Sequence, residues 1–244
     1  MARGVFLAGA AGAVGRRLVP QLLGAGFQVT GSTRQPAKAE WLRGAGAAPV
    51  LVDVFDQAAL HRAVAAARPE VVIHQLTDLP PALDPARMAD AVAGNARLRE
   101  AGTANLVAAA LAAGARRFIA QSILWAYASG PEPHAEDDPL DRGAEGRRGV
   151  TVKGVVALEQ AVLSAQPMQG IVLRYGAFWG PGTGFEAPSG TYPLHVDAAA
   201  QAALLAIDRG RPGLYNVVED GGYASAAKAA RELGWSPGFR LGEA

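Results

Sequence analysis

Cysteine is absent from the 244 residues of this chain. Disulfide bonds, thiolate nucleophiles and cysteine-ligated metal sites are therefore excluded within this sequence. The chain has four histidines, and none stands at the short spacing to another that zinc motifs require. We expect no metal site.

An excess of charge of one sign is also lacking, because 23 basic residues face 22 acidic ones and the formal net charge is +1. This balance favours neither a nucleic-acid partner nor a membrane surface. The apolar runs are interrupted well short of the roughly 20 residues that a membrane span needs. The first residues lack the long apolar stretch of a secretory signal. We expect a cytoplasmic protein that acts on a small-molecule substrate.

Short apolar segments alternate with segments of helical periodicity along most of the chain, which predicts a parallel sheet with helices on both faces. We predict one doubly wound, Rossmann-like α/β domain over residues 1–244, with a long Ala-rich helix over 88–113 and a polar loop over 130–148. Segments 177–194 and 218–244 are predicted to form a small, shortened substrate lobe. The predicted strands are 5–8, 27–31, 50–52, 71–74, 116–120, 171–173 and 214–217.

A glycine-rich turn follows the first predicted strand. Gly9, Gly12 and Gly15 permit a tight turn, close approach of backbone to a pyrophosphate, and close packing of the next helix on the sheet. Ala13 and Val14 open that helix, whose free N–H groups and dipole favour phosphate. The turn predicts a dinucleotide site.

The end of the second predicted strand indicates which dinucleotide is bound. A carboxylate there would hold the ribose of NAD, whereas a cation accepts the additional phosphate of NADP. The sequence has Ser32, Thr33 and Arg34, and the next carboxylate is Glu40. Arginine binds phosphate bidentately, so we predict NADP in preference to NAD.

Motifs spread along the chain resemble those of the short-chain dehydrogenase/reductase superfamily, in its extended, epimerase/dehydratase-like branch. The resemblance implies that Asp53 and Val54 contact adenine and that the protein is a homodimer, formed through helices near residues 104–113 and 155–163. The motifs are the spacing Gly9/Gly12/Gly15, Asp53-Val54, Val71-Val72-Ile73-His74, Gly102-Thr103-Ala104-Asn105-Leu106, Leu173-Arg174-Tyr175-Gly176 with Gly180-Pro181-Gly182, His195-Val196-Asp197, and Tyr215-Asn216-Val217.

The catalytic residues of this family are matched only in part. The resemblance implies a lysine that binds ribose and lowers the pKa of a tyrosine four residues earlier, and Lys153 fits this lysine. Gly149 stands in place of the tyrosine, and Ile123 stands where a serine or threonine orients the substrate oxygen. A shift of one residue would bring Ser122 to that place.

Other candidates for the proton donor are Tyr127, Tyr175, His134 or a water near Lys153. Trp125 and Tyr127 lie just after the fifth predicted strand and are either walls of the nicotinamide pocket or core aromatics. Two functions follow. One is an NADP(H)-dependent oxidoreductase or epimerase-like enzyme acting on a small carbonyl or alcohol; the other is a non-catalytic NADP(H)-binding or redox-sensing protein.

Overall fold

The computed structural model describes residues 3–80, 85–219 and 222–242. Seven parallel strands form one sheet in the order β3-β2-β1-β4-β5-β6-β9. The predicted doubly wound sheet is confirmed. The strands of this sheet are β1 (Gly4–Ala8), β2 (Gln28–Thr33), β3 (Ala48–Leu51), β4 (Val71–His74), β5 (Arg117–Ile123), β6 (Gln169–Tyr175) and β9 (Gly213–Val217).

Helices cover both faces of this sheet. The helices are α1 (Ala13–Gly24), α2 (Pro36–Gly44), α3 (Gln57–Ala67), α4 (Met88–Arg97), α5 (Thr103–Ala112), α6 (Gly146–Leu163) and α7 (Val196–Leu205). Alternating side chains of β1 show the division: Val5 and Leu7 pack with α1 and α7, whereas Phe6 and Ala8 pack with α3, α5 and α6. The inner strands β1, β4, β5 and β6 are largely buried on both faces, as in parallel sheets generally, whereas the edge strand β3 is partly exposed.

The predicted helix over 88–113 is interrupted by a π-helical turn, Leu98–Gly102, between α4 and α5. Such turns occur frequently at functional sites. The predicted loop over 130–148 ends slightly earlier than expected, because α6 begins at Gly146.

The segment predicted as a reduced lobe contains two short parallel strands, β7 (Ala177–Trp179) and β8 (Pro193–His195). Glu219 accepts hydrogen bonds from the indole of Trp179 and from Arg240, each at 2.8 Å. These bonds attach the described part of the C-terminal segment to β7. Residues 220–221 and 243–244 of the predicted lobe lie outside the described residues.

Candidate active site

The glycine turn has the geometry that a pyrophosphate site needs. Gly9 has φ +85°, and a Cβ there would lie 2.6 Å from the carbonyl oxygen of Gln75, so no other residue fits. A Cβ on Gly15 would overlap the backbone of Gly9 and Ala10, which shows how closely α1 approaches the turn. Gly12 caps α1 without a side-chain hydrogen bond, and its Cα is exposed. The N–H groups of the first helical turn are therefore available to an anion.

A cleft of about 920 Å³, partly open to solvent, extends from this turn along the carboxyl ends of β1 and β2. It lies at the edge where open parallel sheets bind their ligands. The predicted residues Gly9, Gly12, Ser32, Thr33, Arg34, Asp53 and Val54 all line it. Val14 is buried beneath the turn and Ala13 is half-buried at the start of α1.

Arg34 is the most prominent cation in this cleft. Its side chain is 62% exposed, and its nitrogens lie 3.8 Å from Asp53 and 4.0 Å from Asp78. Both distances exceed a hydrogen bond, so the N–H groups remain free for another acceptor. Lys38, half-buried on the first turn of α2, lines the same end of the cleft. Sequence reasoning missed Lys38, although its spacing of four residues from Arg34 was a visible signal.

The end of the cleft at segment 53–55 is held by side chains of α3 and α5. Asn105 donates from its amide nitrogen to the carbonyl oxygen of Val54 at 2.9 Å and accepts from Gln57 at 2.9 Å. Asp53 accepts from the N–H of Phe55 at 2.9 Å. These bonds fix segment 53–55 in the wall of the cleft.

Three predicted catalytic hydroxyls lie away from the cleft. Ser122 is buried and donates to Glu159 at 2.8 Å. Tyr127 is 1% exposed, donates to Asn216 at 2.7 Å and accepts from Arg174 at 2.8 Å. The burial of Tyr127 raises the pKa of its phenol.

Tyr175 is buried as well, and its hydroxyl donates to the carbonyl oxygen of Ala199 at 2.9 Å. Burial raises the pKa of this phenol well above its ordinary value. Because all three hydroxyls are committed to internal partners, their positions do not support the predicted catalytic roles.

Arg174 and Glu159 form the centre of this closed network. The guanidinium donates to the carboxylate at 2.9 and 2.7 Å, and both side chains are buried. Burial alone would lower the pKa of Arg174, but the bonds and charge of Glu159 raise it above the ordinary value. The arginine of the "LR" motif therefore joins β6 to α6 and to the turn after β5.

Position 149 is closed to any side chain. Gly149 is buried, and a Cβ there would overlap the carbonyl oxygen of Ala144, which is backbone and cannot swing aside. One turn further along α6, Lys153 is exposed and has no hydrogen-bond or ion-pair partner among the residues that the structure describes. The structure thus leaves Lys153 free at the surface of α6 and leaves no room for a side chain at position 149.

The candidate proton donor His134 and the motif residue His74 are also internal. His74 is fully buried between Thr103 (3.1 Å) and the N–H of Leu76 (3.2 Å), and burial lowers its pKa to about 4. His134 is buried against the ring of Tyr127 and lies 2.9 Å from Asp138, and this bond lowers the pKa of the Asp138 carboxyl.

Three further aromatic rings meet at the carboxyl edge of the sheet, beyond β5. Trp125 and Tyr192 are nearly parallel, with ring centres 6.1 Å apart, and Tyr192 and Tyr223 lie 5.0 Å apart. All three residues are half-buried. The sequence indicated Trp125, but Tyr192 and Tyr223 stand in segments without periodicity and were missed.

Within the described residues, no cluster of acidic or histidine side chains has the geometry of a metal site. The same part of the chain includes no helix with the length and apolarity needed to cross a bilayer.

Comparison with known proteins agrees with this geometry. A family model described as NAD(P)H-binding matches residues 9–146. The chain is 40% identical over 237 residues to a 3-diazoavenalumate denitrifying reductase from a Streptomyces species, covering 88% of this chain and 76% of that protein.

Solved structures of low identity share the fold. A UDP-glucose 4-epimerase from Thermotoga maritima superposes with a TM-score of 0.78 at 19% identity, over 97% of this chain and 94% of that one. The corresponding enzyme from Stenotrophomonas maltophila, with bound NAD, gives 0.76 at 19% identity, over 98% and 94%. The chain therefore belongs to the NAD(P)H-binding family, and it shares its fold with the UDP-glucose 4-epimerases.

Proposed function

We propose that this chain is an NADPH-dependent reductase that replaces a diazo group of a small molecule by hydrogen. The observation that carries the proposal is the closed position 149, where Ala144 backbone leaves no room for a side chain and where the family resemblance would put the phenol that protonates a reduced carbonyl oxygen. A diazo substrate does not need that phenol. The name of the 40%-identical relative, a denitrifying reductase of a diazo compound, supports the same reaction class.

The reaction balances without an enzymatic acid. NADPH held on the glycine turn would supply the hydride for the diazonium form of the substrate, and the balance would then be R–N₂⁺ + NADPH → R–H + N₂ + NADP⁺. The C–N bond breaks and nitrogen leaves as a neutral gas, so no oxyanion develops. A positioned general acid, usually worth roughly 10²–10⁴-fold, is therefore dispensable.

The residues of the chain act by binding and orientation. The glycine turn and the start of α1 hold the pyrophosphate, Asp53 and Val54 border the adenine, and Lys153 is available to the nicotinamide ribose. The closed network around Arg174 and Glu159 fixes β5 and β6 beneath the reacting groups.

NADP(H) is preferred because Arg34 and Lys38 bring two cations to the ribose end of the cleft, with Ser32 and Thr33 beside them. Charge-assisted bonds of this kind contribute about 1.5–3 kcal/mol, so we expect NADPH to bind about 10- to 100-fold more tightly than NADH. Calorimetric titration of both cofactors measures this ratio. Arg34→Ala should remove most of it and Lys38→Ala a smaller part, whereas Arg43→Ala, on α2 and paired with Glu40, is the control. Equal affinities in the wild type would contradict NADP preference.

The reaction class is tested with two matched substrates, 4-hydroxybenzenediazonium and 4-hydroxybenzaldehyde. We expect NADPH oxidation with release of one N₂ per hydride from the diazonium salt, and no measurable reduction of the aldehyde. The Gly12→Val variant corrects for direct reaction between NADPH and the diazonium salt.

Two other outcomes favour the functions left open by the sequence. Reduction of the aldehyde alone would identify a carbonyl reductase with another proton donor. Tight NADPH binding without turnover of either compound would identify a non-catalytic binding or redox-sensing protein.

A further inference from the structure

An aromatic cluster stands at the carboxyl edge of the sheet, on the side away from the cation end of the cleft. Trp125 lies two residues beyond the end of β5, Tyr192 directly precedes β8, and Tyr223 follows β9. Three separate segments thus bring rings to one place, with centre-to-centre distances of 6.1 and 5.0 Å.

The cluster rests on a rigid base. The imidazole of His134 packs edge-on to Tyr223 at 5.2 Å and stacks on Tyr127 at 4.7 Å, and Tyr127 belongs to the closed network. Arg148 donates to the carbonyl oxygens of Trp125 (2.9 Å) and Tyr127 (2.7 Å), which fixes the turn that carries the indole. The rings are therefore held in place before anything binds.

The solvent-facing side of the cluster makes fewer contacts than its base. Trp125, Tyr192 and Tyr223 are half-buried, so each keeps part of its surface in solvent. The hydroxyls of Tyr192 and Tyr223 have no hydrogen-bond partner in the ranges that the structure covers. Exposed ring surface with two free phenol hydroxyls offers both stacking and polar recognition.

The position of the cluster matches the reacting end of the cofactor. In the sheet, β4 and then β5 lie beside β1, so the segment after β5 is two strand spacings, or about 10 Å, from the glycine turn. A dinucleotide whose pyrophosphate lies on that turn and whose adenine lies beside Asp53 must extend its nicotinamide towards this side.

We propose that Trp125, Tyr192 and Tyr223 form the wall that binds a planar aromatic substrate carrying a polar substituent, with its reacting carbon turned towards the nicotinamide. This proposal rests on the proposed function for the presence of the cofactor. It names the substrate class of that same site, which neither the fold nor the glycine turn specifies.

The test is calorimetric titration of the protein saturated with NADP⁺, using 4-hydroxybenzoate as an unreactive planar probe. Cyclohexanecarboxylate, of similar size and charge but without a π face, is the matched probe. Trp125→Leu and Tyr192→Leu should each lower the affinity for 4-hydroxybenzoate about 3- to 10-fold, in line with the contribution of one aromatic pair. Tyr192→Phe and Tyr223→Phe keep the rings and remove one hydroxyl each. Each should lower the affinity for 4-hydroxybenzoate about 2- to 10-fold.

Phe185→Leu is the control variant, because Phe185 is an exposed aromatic residue of the neighbouring segment that contacts no ring within the described part of the chain. It should leave the affinity for 4-hydroxybenzoate unchanged. Circular dichroism checks that each variant is folded. If Trp125→Leu misfolds, the affinity of Tyr192→Leu decides the outcome.

Four results would overturn the proposal: no binding of 4-hydroxybenzoate at millimolar concentration, equal binding of the two probes, unchanged affinity in both Leu variants, or variant-sensitive binding of UDP in place of the aromatic probe. Failure of the proposed function is separately visible, because it appears in the wild type as absent NADPH binding or as absent N₂ release from the diazonium salt. The same titration without cofactor then tests the aromatic wall alone.

Discussion

The two sides of the sheet's carboxyl edge differ in whether their polar groups have close partners. On the side of β2, Arg34 and the first N–H groups of α1 have no tight partner, and the cleft is open. On the side of β6, Arg174, Glu159 and Tyr127 are buried and bonded to one another. Unsatisfied donors mark where a ligand binds, whereas satisfied groups mark the support beneath it.

The strongest test of the open side compares two glycines of the same turn. Gly12→Val should keep the fold and abolish detectable NADPH binding, because its Cβ would lie 3.3 Å from the Gly9 oxygen while the branches enter the pyrophosphate space. Gly15→Val should also lose the folded state, since its Cβ overlaps backbone. Circular dichroism and cofactor titration separate the two, and normal NADPH binding by a folded Gly12→Val variant would place the pyrophosphate elsewhere.

Substitutions on the closed side should change the free energy of unfolding. Glu159→Ala leaves the Arg174 charge buried and unpaired, so we expect a loss of about 3–5 kcal/mol in the free energy of unfolding. Glu40→Ala breaks an exposed pair with Arg43 and should cost less than about 1 kcal/mol. Urea unfolding measures both, and similar losses would show that the buried network carries no special stability.

His74, at the end of β4, makes the stability of the fold sensitive to pH. Burial, with a smaller contribution from the charge of Arg99, lowers the pKa of this imidazole from 6.5 to about 4. Between these values the unfolded chain takes up a proton that the folded chain does not, so stability is complete above about pH 6.5 and falls as the pH drops towards 4. The full difference is about 3 kcal/mol. In urea unfolding from pH 7.5 to 4.5, His74→Gln should show a correspondingly smaller fall than the wild type, and an unchanged slope would contradict this assignment.

A substitution at Gly149 should have the smallest of these effects on stability, and the nearby Gly143 serves as its comparison. Gly149→Ala forces α6 and Ala144 apart, and we expect a loss of about 1–3 kcal/mol. Gly143→Ala, where a Cβ meets nothing within 4 Å, should change stability by less than about 0.5 kcal/mol. Thermal or urea unfolding compares them; equal stabilities would show that position 149 has room for a side chain.

The open side was predictable from sequence because local rules act there. The parallel sheet with helices on both faces follows from the alternation of apolar segments, and Gly9, Gly12 and Gly15 need no distant residue to define their turn. Arg34 lies at the end of a strand whose position is set by the same alternation. Lys38 was within reach of the same reasoning, since it follows Arg34 by only four positions at the start of α2.

The closed side depends on contacts between residues far apart in the chain, which spacing does not reveal. Tyr127 bonds to Asn216 and Arg174, and Ser122 bonds to Glu159 across 37 positions. Each hydroxyl had the chemistry of a catalyst, and only tertiary packing shows that it is committed elsewhere. The same limit applies to Tyr192 and Tyr223, which become neighbours of Trp125 only in the folded chain.

The contact between Ala144 and Gly149 also constrains how this protein can evolve. A side chain at position 149 fits only after the loop before α6 has moved, so Gly149→Tyr alone should distort the start of α6. A change in that loop and a change at position 149 are therefore coupled, and their effects on stability should not add. A side chain at this position needs at least two changes, of which the first brings no benefit by itself.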